Sequence, residues 1–220
     1  MAAYSVPFWR SLCLIALCAF SLQLHAARDD EADDEMDEVT PEELQMQEIP
    51  VDERIFVEKW NDVPYKKSYF TYTDKQIRDK WEYLMRGLKV PYPSAAYMKE
   101  QFDKYPFMKE DIKDWNGDYQ VLEARSLQVW RKFFAGDFQE AREEGLQLGP
   151  IGKIPALFSQ LMYAIYLTDR QSTKYMMLQD VANQAQEYFD DMEEAAEDPA
   201  VAPIVASVKL GYAYAIARIA

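Results

Sequence analysis

The chain has 220 residues, with 38 acidic against 24 basic side chains and a formal net charge of −14. Such a balance argues against nucleic acid and anionic lipid as partners, since both are held by clustered Lys and Arg. Aromatic residues make up 14% and glycines number only seven, a composition able to build a packed core.

Both cysteines and the single histidine, Cys13, Cys18 and His25, lie in the first 26 residues. Arg10 is the only charge before Arg28, an apolar run fills residues 12–22, and small Ala26 and Ala27 follow. A basic start, a short apolar stretch and small residues at the end make a secretory signal peptide over 1–26. The run falls short of the ~20 apolar residues of an ordinary membrane span. An uncleaved anchor is the alternative. A bacterial-type lipid box fits less well, because Leu17 stands before Cys18. Cleavage removes Arg10 and no acid, leaving a net charge of −15, no thiol and no imidazole. Export without a cysteine framework fits the periplasm of a Gram-negative bacterium better than a eukaryotic secretory route.

Residues 27–50 form an acidic linker, since 28–43 alone hold ten acids against one base and like charges that bury nothing stay solvated. A helical region is expected over 51–121. Tyr65, Tyr69, Phe70 and Tyr72 suit either a strand-like arm or a packing segment ahead of the first helix. Thr73 and Gln76 make a capping box for a helix whose Ile77, Trp81, Leu84, Met85 and Leu88 share one face, ended by Gly87 and Pro91. Ser94 caps a second helix, with Tyr97, Met98 and Phe102 inward. Pro106 opens a third, reaching Trp115.

After the Asn116-Gly117 turn, a helix is expected over 118–134 with Val121, Leu122, Leu127, Trp130 and Phe134 as its apolar set. Gly136 breaks it, and Asp137 with Glu140 caps the next, to about Leu148. Pro155 at a first helical position opens an apolar helix over 156–167 that should be buried all round. Ser172 or Thr173 caps a long helix to about Ala196, and the last runs over 205–220.

The segment from Trp130 to Ala141 (WRKFFAGDFQEA) resembles the turn of a tetratricopeptide repeat: an aromatic helix, Gly-Asp-aromatic, then a small Ala five residues after the Gly. With Gly136 at repeat position 15, the repeat starts at Leu122 and the next, 34 residues on, at Ala156. A third match, Leu210-Gly211 with Tyr214, implies a start at Ile204 after a 14-residue insertion over 190–203. Gln128 and Val129 stand where Leu and Gly are typical, and Arg170 and Tyr175 depart at the second turn and small-residue position. The resemblance implies an all-α fold in which antiparallel helix hairpins over 122–220 stack as a right-handed solenoid behind a helical N-terminal cap region. Ala141 and Gly145 would allow the paired helices to approach closely. The chain ends inside an apolar helix, which reads as the truncated front of a longer array.

Without His or Cys, catalysis would rest on carboxylates, lysines or tyrosines. The stretch 114–118 has oxygen ligands at alternate positions but Tyr119 and Arg125 where a calcium loop needs Gly and a bidentate Glu. It reads as a turn and helix cap, and the acids over 190–198 as a solvated helix end. Met162, Met176 and Met177 read as core filler. No phosphate-cradling loop, dinucleotide fingerprint or nucleophile elbow is present; neither cofactor nor metal is expected. The favoured function is an exported scaffold or adaptor, without catalysis, that binds a protein or peptide in a helical groove. Arg125, Gln128 and Lys132, spaced to share a helix face, together with Ser159 and Tyr163, are its expected contacts. The alternatives are a carboxylate-dependent hydrolase of envelope glycan and an accessory subunit of a solute transport system.

Overall fold

A computed structural model describes residues 59–219, which are helical with no strand among them. The expected signal peptide, the acidic linker and residues 51–58 lie outside the described residues. Seven α-helices follow in order: α1 Asp74–Leu84, α2 Ala95–Lys104, α3 Tyr119–Ala135, α4 Phe138–Leu146, α5 Lys153–Tyr166, α6 Gln171–Asp191 and α7 Ala202–Ile219.

Local chemistry explains most of the boundaries. The Thr73 hydroxyl accepts from the Gln76 amide at 3.2 Å while the Gln76 side chain accepts from the Thr73 amide at 2.8 Å, satisfying two of the orphan donors that open α1. Ser94 caps α2 through the Tyr97 amide, and Asp118 caps α3 through the amides of Gln120 and Val121. Gly136, at φ 84°, ends α3 in the left-handed conformation. The Asp137 amide then donates to Lys132 O and the Gly136 amide to Phe133 O, the Schellman pattern that glycine permits. A Cβ at Gly136 would sit 2.6 Å from Val63 Cγ1, so packing as well as backbone demands glycine there.

Several boundaries differ from expectation. Pro106 opens only a 3₁₀ turn, Pro106–Lys109. The chain then bends through Asp114 at φ 53° and is pinned by Ile112 pairing with Leu148 and by the Lys113 amide donating to Gln147 O at 2.9 Å. Asp137 does not cap α4, because its carboxylate takes the Lys67 ammonium instead. Pro155 is the third residue of α5, behind a 3₁₀ turn at Gly149–Gly152. Neither Ser172 nor Thr173 caps α6, which begins before them at Gln171 and ends at Asp191; a 3₁₀ turn, Glu193–Ala195, follows. The last helix starts three residues early, with Pro203 in its first turn, where a missing amide costs nothing. Val121 is exposed, so the buried face of α3 is Leu122, Ser126, Leu127, Val129 and Trp130.

Consecutive helices from α3 onward pack against one another, and α1 and α2 rest on α3. Their side-chain pairs fix the directions: Gln128 with Glu144 and Lys132 with Glu140 across α3–α4, Arg142 with Gln160 across α4–α5, Gln160 with Asp180 and Lys153 with Gln184 across α5–α6. Across α3–α4 and α5–α6 one partner advances as the other retreats, and Gly145 against Ala156 does the same beside Arg142 and Gln160, so these three junctions are antiparallel. Alternate helices also meet, α3 with α5 and α5 with α7.

Trp81 meets Trp130 edge to face at 5.3 Å in the larger core, with Ile77, Met98, Phe102 and Leu122 fully buried. A second cluster joins Trp60 to Leu161, Tyr163, Met177, Leu178, Val181 and Ala215. The backbones approach closely between α4 and the entry to α5: a Cβ on Gly152 would lie 2.0 Å from Gly145 O. Gly145 thus serves the α4–α5 contact and not the α3–α4 pair expected of it.

One turn back on α4, Arg142 is 1% exposed and bonds the side chain of Gln160 and the carboxylate of Asp180, the latter at 3.2 Å. Asp180 also accepts from Gln160 and Gln184, each at 2.8 Å. Breaking such a buried pair leaves an uncompensated charge. Arg142→Ala and Asp180→Ala are each expected to lower unfolding free energy by about 3–5 kcal/mol in denaturant titrations, whereas Arg142→Met combined with Asp180→Leu loses less than either single variant.

Candidate functional site

The solvent side of α3 brings together three of the five expected contacts. Arg125 donates to Lys113 O at 2.8 Å, which ties α3 to the bent segment ahead of it. Gln128, one turn on, donates to the Glu144 carboxylate at 3.1 Å. Lys132 lies between Glu144 at 2.6 Å and Glu140 at 2.7 Å. Burial opposes its charge, but the two carboxylates outweigh that and hold the Lys132 ammonium above the ordinary lysine range. Arg125, Gln128, Val129, Glu144, Gln147 and Leu148 line a shallow hollow of about 200 Å³. It offers amide donors and acceptors, a carboxylate and a guanidinium over an apolar floor, the set that hydrogen-bonds an extended backbone.

The other two expected contacts belong to the interior. Ser159 is fully buried and its hydroxyl donates to Pro155 O at 2.6 Å, one turn back on its own helix. Tyr163 is 6% exposed. Its ring stacks on Trp60 at 4.5 Å and its hydroxyl accepts from the Asn61 amide at 2.9 Å. The cause is visible in α5 itself, since a helix apolar almost all round has no solvent face on which to present a contact residue.

Across the Ile112–Leu148 pairing lies a larger cleft of about 590 Å³, walled by Glu110 to Lys113, the end of α4, the Gly149-Pro150 turn and α6. Lys153, the first residue of α5, lines it beside Arg142, Gln184, Glu187 and Asp191. Its ammonium reaches Gln184 Oε1 at 3.4 Å. Burial pushes its pKa down, only partly offset by the more distant carboxylates of Glu187, Asp191, Asp180 and Asp111. Residues that the spacing argument missed therefore include Glu144 and Gln147, which complete the α3 hollow, and Arg142 and Lys153. The available signal for Arg142 was its position beside Ala141 and one turn from Gly145, on the stripe that had to be buried.

These features define an all-α protein with an open polar face along α3 and a charged cleft at the start of α5. Among the described residues no group of three or more His, Cys, Asp or Glu is placed to hold a metal ion, and no helix is long and apolar enough to cross a membrane. No protein-family model, curated protein or solved structure matches the chain.

The two lysines give a pH test with opposite signs. In ¹³C spectra of the reductively methylated protein, Lys153 is expected to lose its proton below the ordinary lysine value of about 10.4 and Lys132 above it; the reverse order contradicts the burial assigned to each. For Lys153 the unfolded chain binds the extra proton between its folded and unfolded values, so that residue's contribution to stability rises with pH across that window.

Proposed function

We propose that this chain is an exported helical-repeat protein, organised like tetratricopeptide-repeat proteins from α3 onward, that holds a protein or peptide partner against the outer side of α3 and does not catalyse a reaction. The observation that carries the reading is the packing order. The α3/α4 hairpin turns at Gly136, α5/α6 follows, and α5 touches both α3 and α7 while each second helix contacts the helices before and after it. In stacking of this kind the first helices share one side of the array; here α3 keeps a polar strip open to solvent while α5 is buried. On α3 that strip carries Arg125, Gln128 and Lys132, with Glu144 and Gln147 beside it from α4 and its end. Directed hydrogen bonds combined with contact area suit Arg and amide side chains to recognition.

Gly211 faces the Phe158 ring on α5, its would-be Cβ 3.6 Å away, which brings α7 against the alternate helix. The export signal lies outside the described residues, and periplasmic location rests on the apolar run at 12–22 and its flanks.

Two measurements test the proposal. A fusion of residues 1–60 to a reporter active only outside the bacterial cytoplasm is expected to report export, and activity equal to a leaderless control overturns it. Immobilised protein is expected to retain a defined partner from periplasmic extract, with recovery falling at least about tenfold for Arg125→Ala combined with Lys132→Ala. Equal recovery by the variant, or none by the native chain, removes the α3 face as the site. The Lys132 pairs are partly buried and Arg125 holds the Lys113 carbonyl, so recovery is compared only with a variant whose circular dichroism spectrum matches that of the native chain.

A further inference from the structure

Helix α7 has 18 residues and no carboxylate, in a chain whose net charge is −14. Its inner side packs Val205, Val208 and Ala215 into the core. Its outer side exposes Ala206, Leu210, Ala213, Tyr214 and Ala217, with Leu210 at 55%, and Ile216 beyond Lys209 at 40%. The intervals of 4, 3, 1 and 3 place these five residues on one straight strip three turns long, about 16 Å. By the 100° turn per residue, Lys209 lies beside the strip on one side, between it and Ile216, and Arg218 beside it on the other. Arg218 is pre-ordered: its guanidinium lies over the Tyr214 ring, 5.5 Å from the centroid, and donates to the Tyr214 hydroxyl at 3.2 Å. Lys209 is steadied by the Phe189 ring at 5.8 Å.

We infer that this strip docks an amphipathic helix whose apolar face is bordered by carboxylates. The shape follows from the strip itself: alanines at 206, 213 and 217 let a second helix come close, while Leu210 and Tyr214 supply the projecting ridge. The charge follows from α7 itself, whose only charged side chains are Lys209 and Arg218, one on each side of the strip. Self-association fits poorly by the same account, because two copies meeting through α7 bring four cations to one seam, and α7 has no carboxylate to receive them. The surface is separate from the α3 face and does not depend on the function proposed for it.

The experiment uses the full chain and two synthetic helical peptides with the same Leu/Ala stripe, one flanked by Glu and one by Lys. Binding is followed by fluorescence anisotropy at 0.15 M salt, where the Debye length of about 8 Å leaves contact pairs dominant over the overall field. The Glu-flanked peptide is expected to bind at least about tenfold more tightly. The net charge of the protein alone predicts the opposite order, so the preference reports the local borders. Lys209→Glu combined with Arg218→Glu is expected to invert the preference. Leu210→Asn, at an exposed position, weakens both peptides and leaves the circular dichroism spectrum unchanged. Equal or tighter binding of the Lys-flanked peptide, a preference unmoved by the charge reversal, or a dimer in sedimentation that Leu210→Asn dissolves and that excludes both peptides would each overturn the inference.

Discussion

Three helices are held in register by one buried charge. Arg142 reaches from α4 into the space between α5 and α6, where Gln160, Asp180 and Gln184 close around it. A purely aliphatic interface at this place would tolerate a slip of one turn along either neighbour, whereas a guanidinium and a carboxylate removed from water do not. Asp180 receives three donors in this one arrangement, and a shifted helix strands at least one of them. The missing side chains at Gly145 and Gly152 bring α4 and α5 close enough for Arg142 to reach its partners. Glycine and arginine are thus two halves of one device: the first sets the separation, the second sets the register.

The same cluster explains the character of the cleft beside it. Asp180 is occupied by Arg142 and two amides, which leaves Lys153 facing only the carbonyl oxygen of Gln184 at close range. A half-buried ammonium in that position is destabilised by desolvation, while Lys132, with two carboxylates in contact, is stabilised. Two lysines of one small domain are thereby set to opposite sides of the ordinary value by their neighbours alone.

Much of the fold was legible in the sequence because its strongest cues are local. Thr73, Ser94 and Asp118 cap the helices they were expected to cap, and Gly136 ends α3, since a side-chain oxygen meeting an amide two or three residues on does not depend on the rest of the chain. Cues with a distant competitor misled. Asp137 had the right position to cap α4 but meets Lys67, 70 residues away in sequence, and a full ion pair displaces a cap. The segment after Pro106 was read as helix and is instead drawn into an irregular path by Leu148 and Gln147. For the candidate site, spacing placed Arg125, Gln128 and Lys132 together but could not reveal the acidic partners across the hairpin. It also placed Ser159 and Tyr163 on the outside, although the unbroken apolarity of their helix pointed inward.

The aromatic stretch ahead of α1 is neither a strand nor a helix, apart from a 3₁₀ turn at Lys67–Tyr69. It behaves as a strap. Asn61 is tied to Tyr163 and Leu167 at the far end of α5, the Trp60 amide to Gln139 at the start of α4, Val63 sits under Gly136, and Lys67 holds Asp137. In a chain of hairpins joined only neighbour to neighbour, tension on one end peels the units away in sequence. Here a pull on the amino-terminal side reaches α5 first and α1 last. The strap's first anchors thus lie on α4 and α5, in the middle of the helix order, and not on the helix that follows it in the chain.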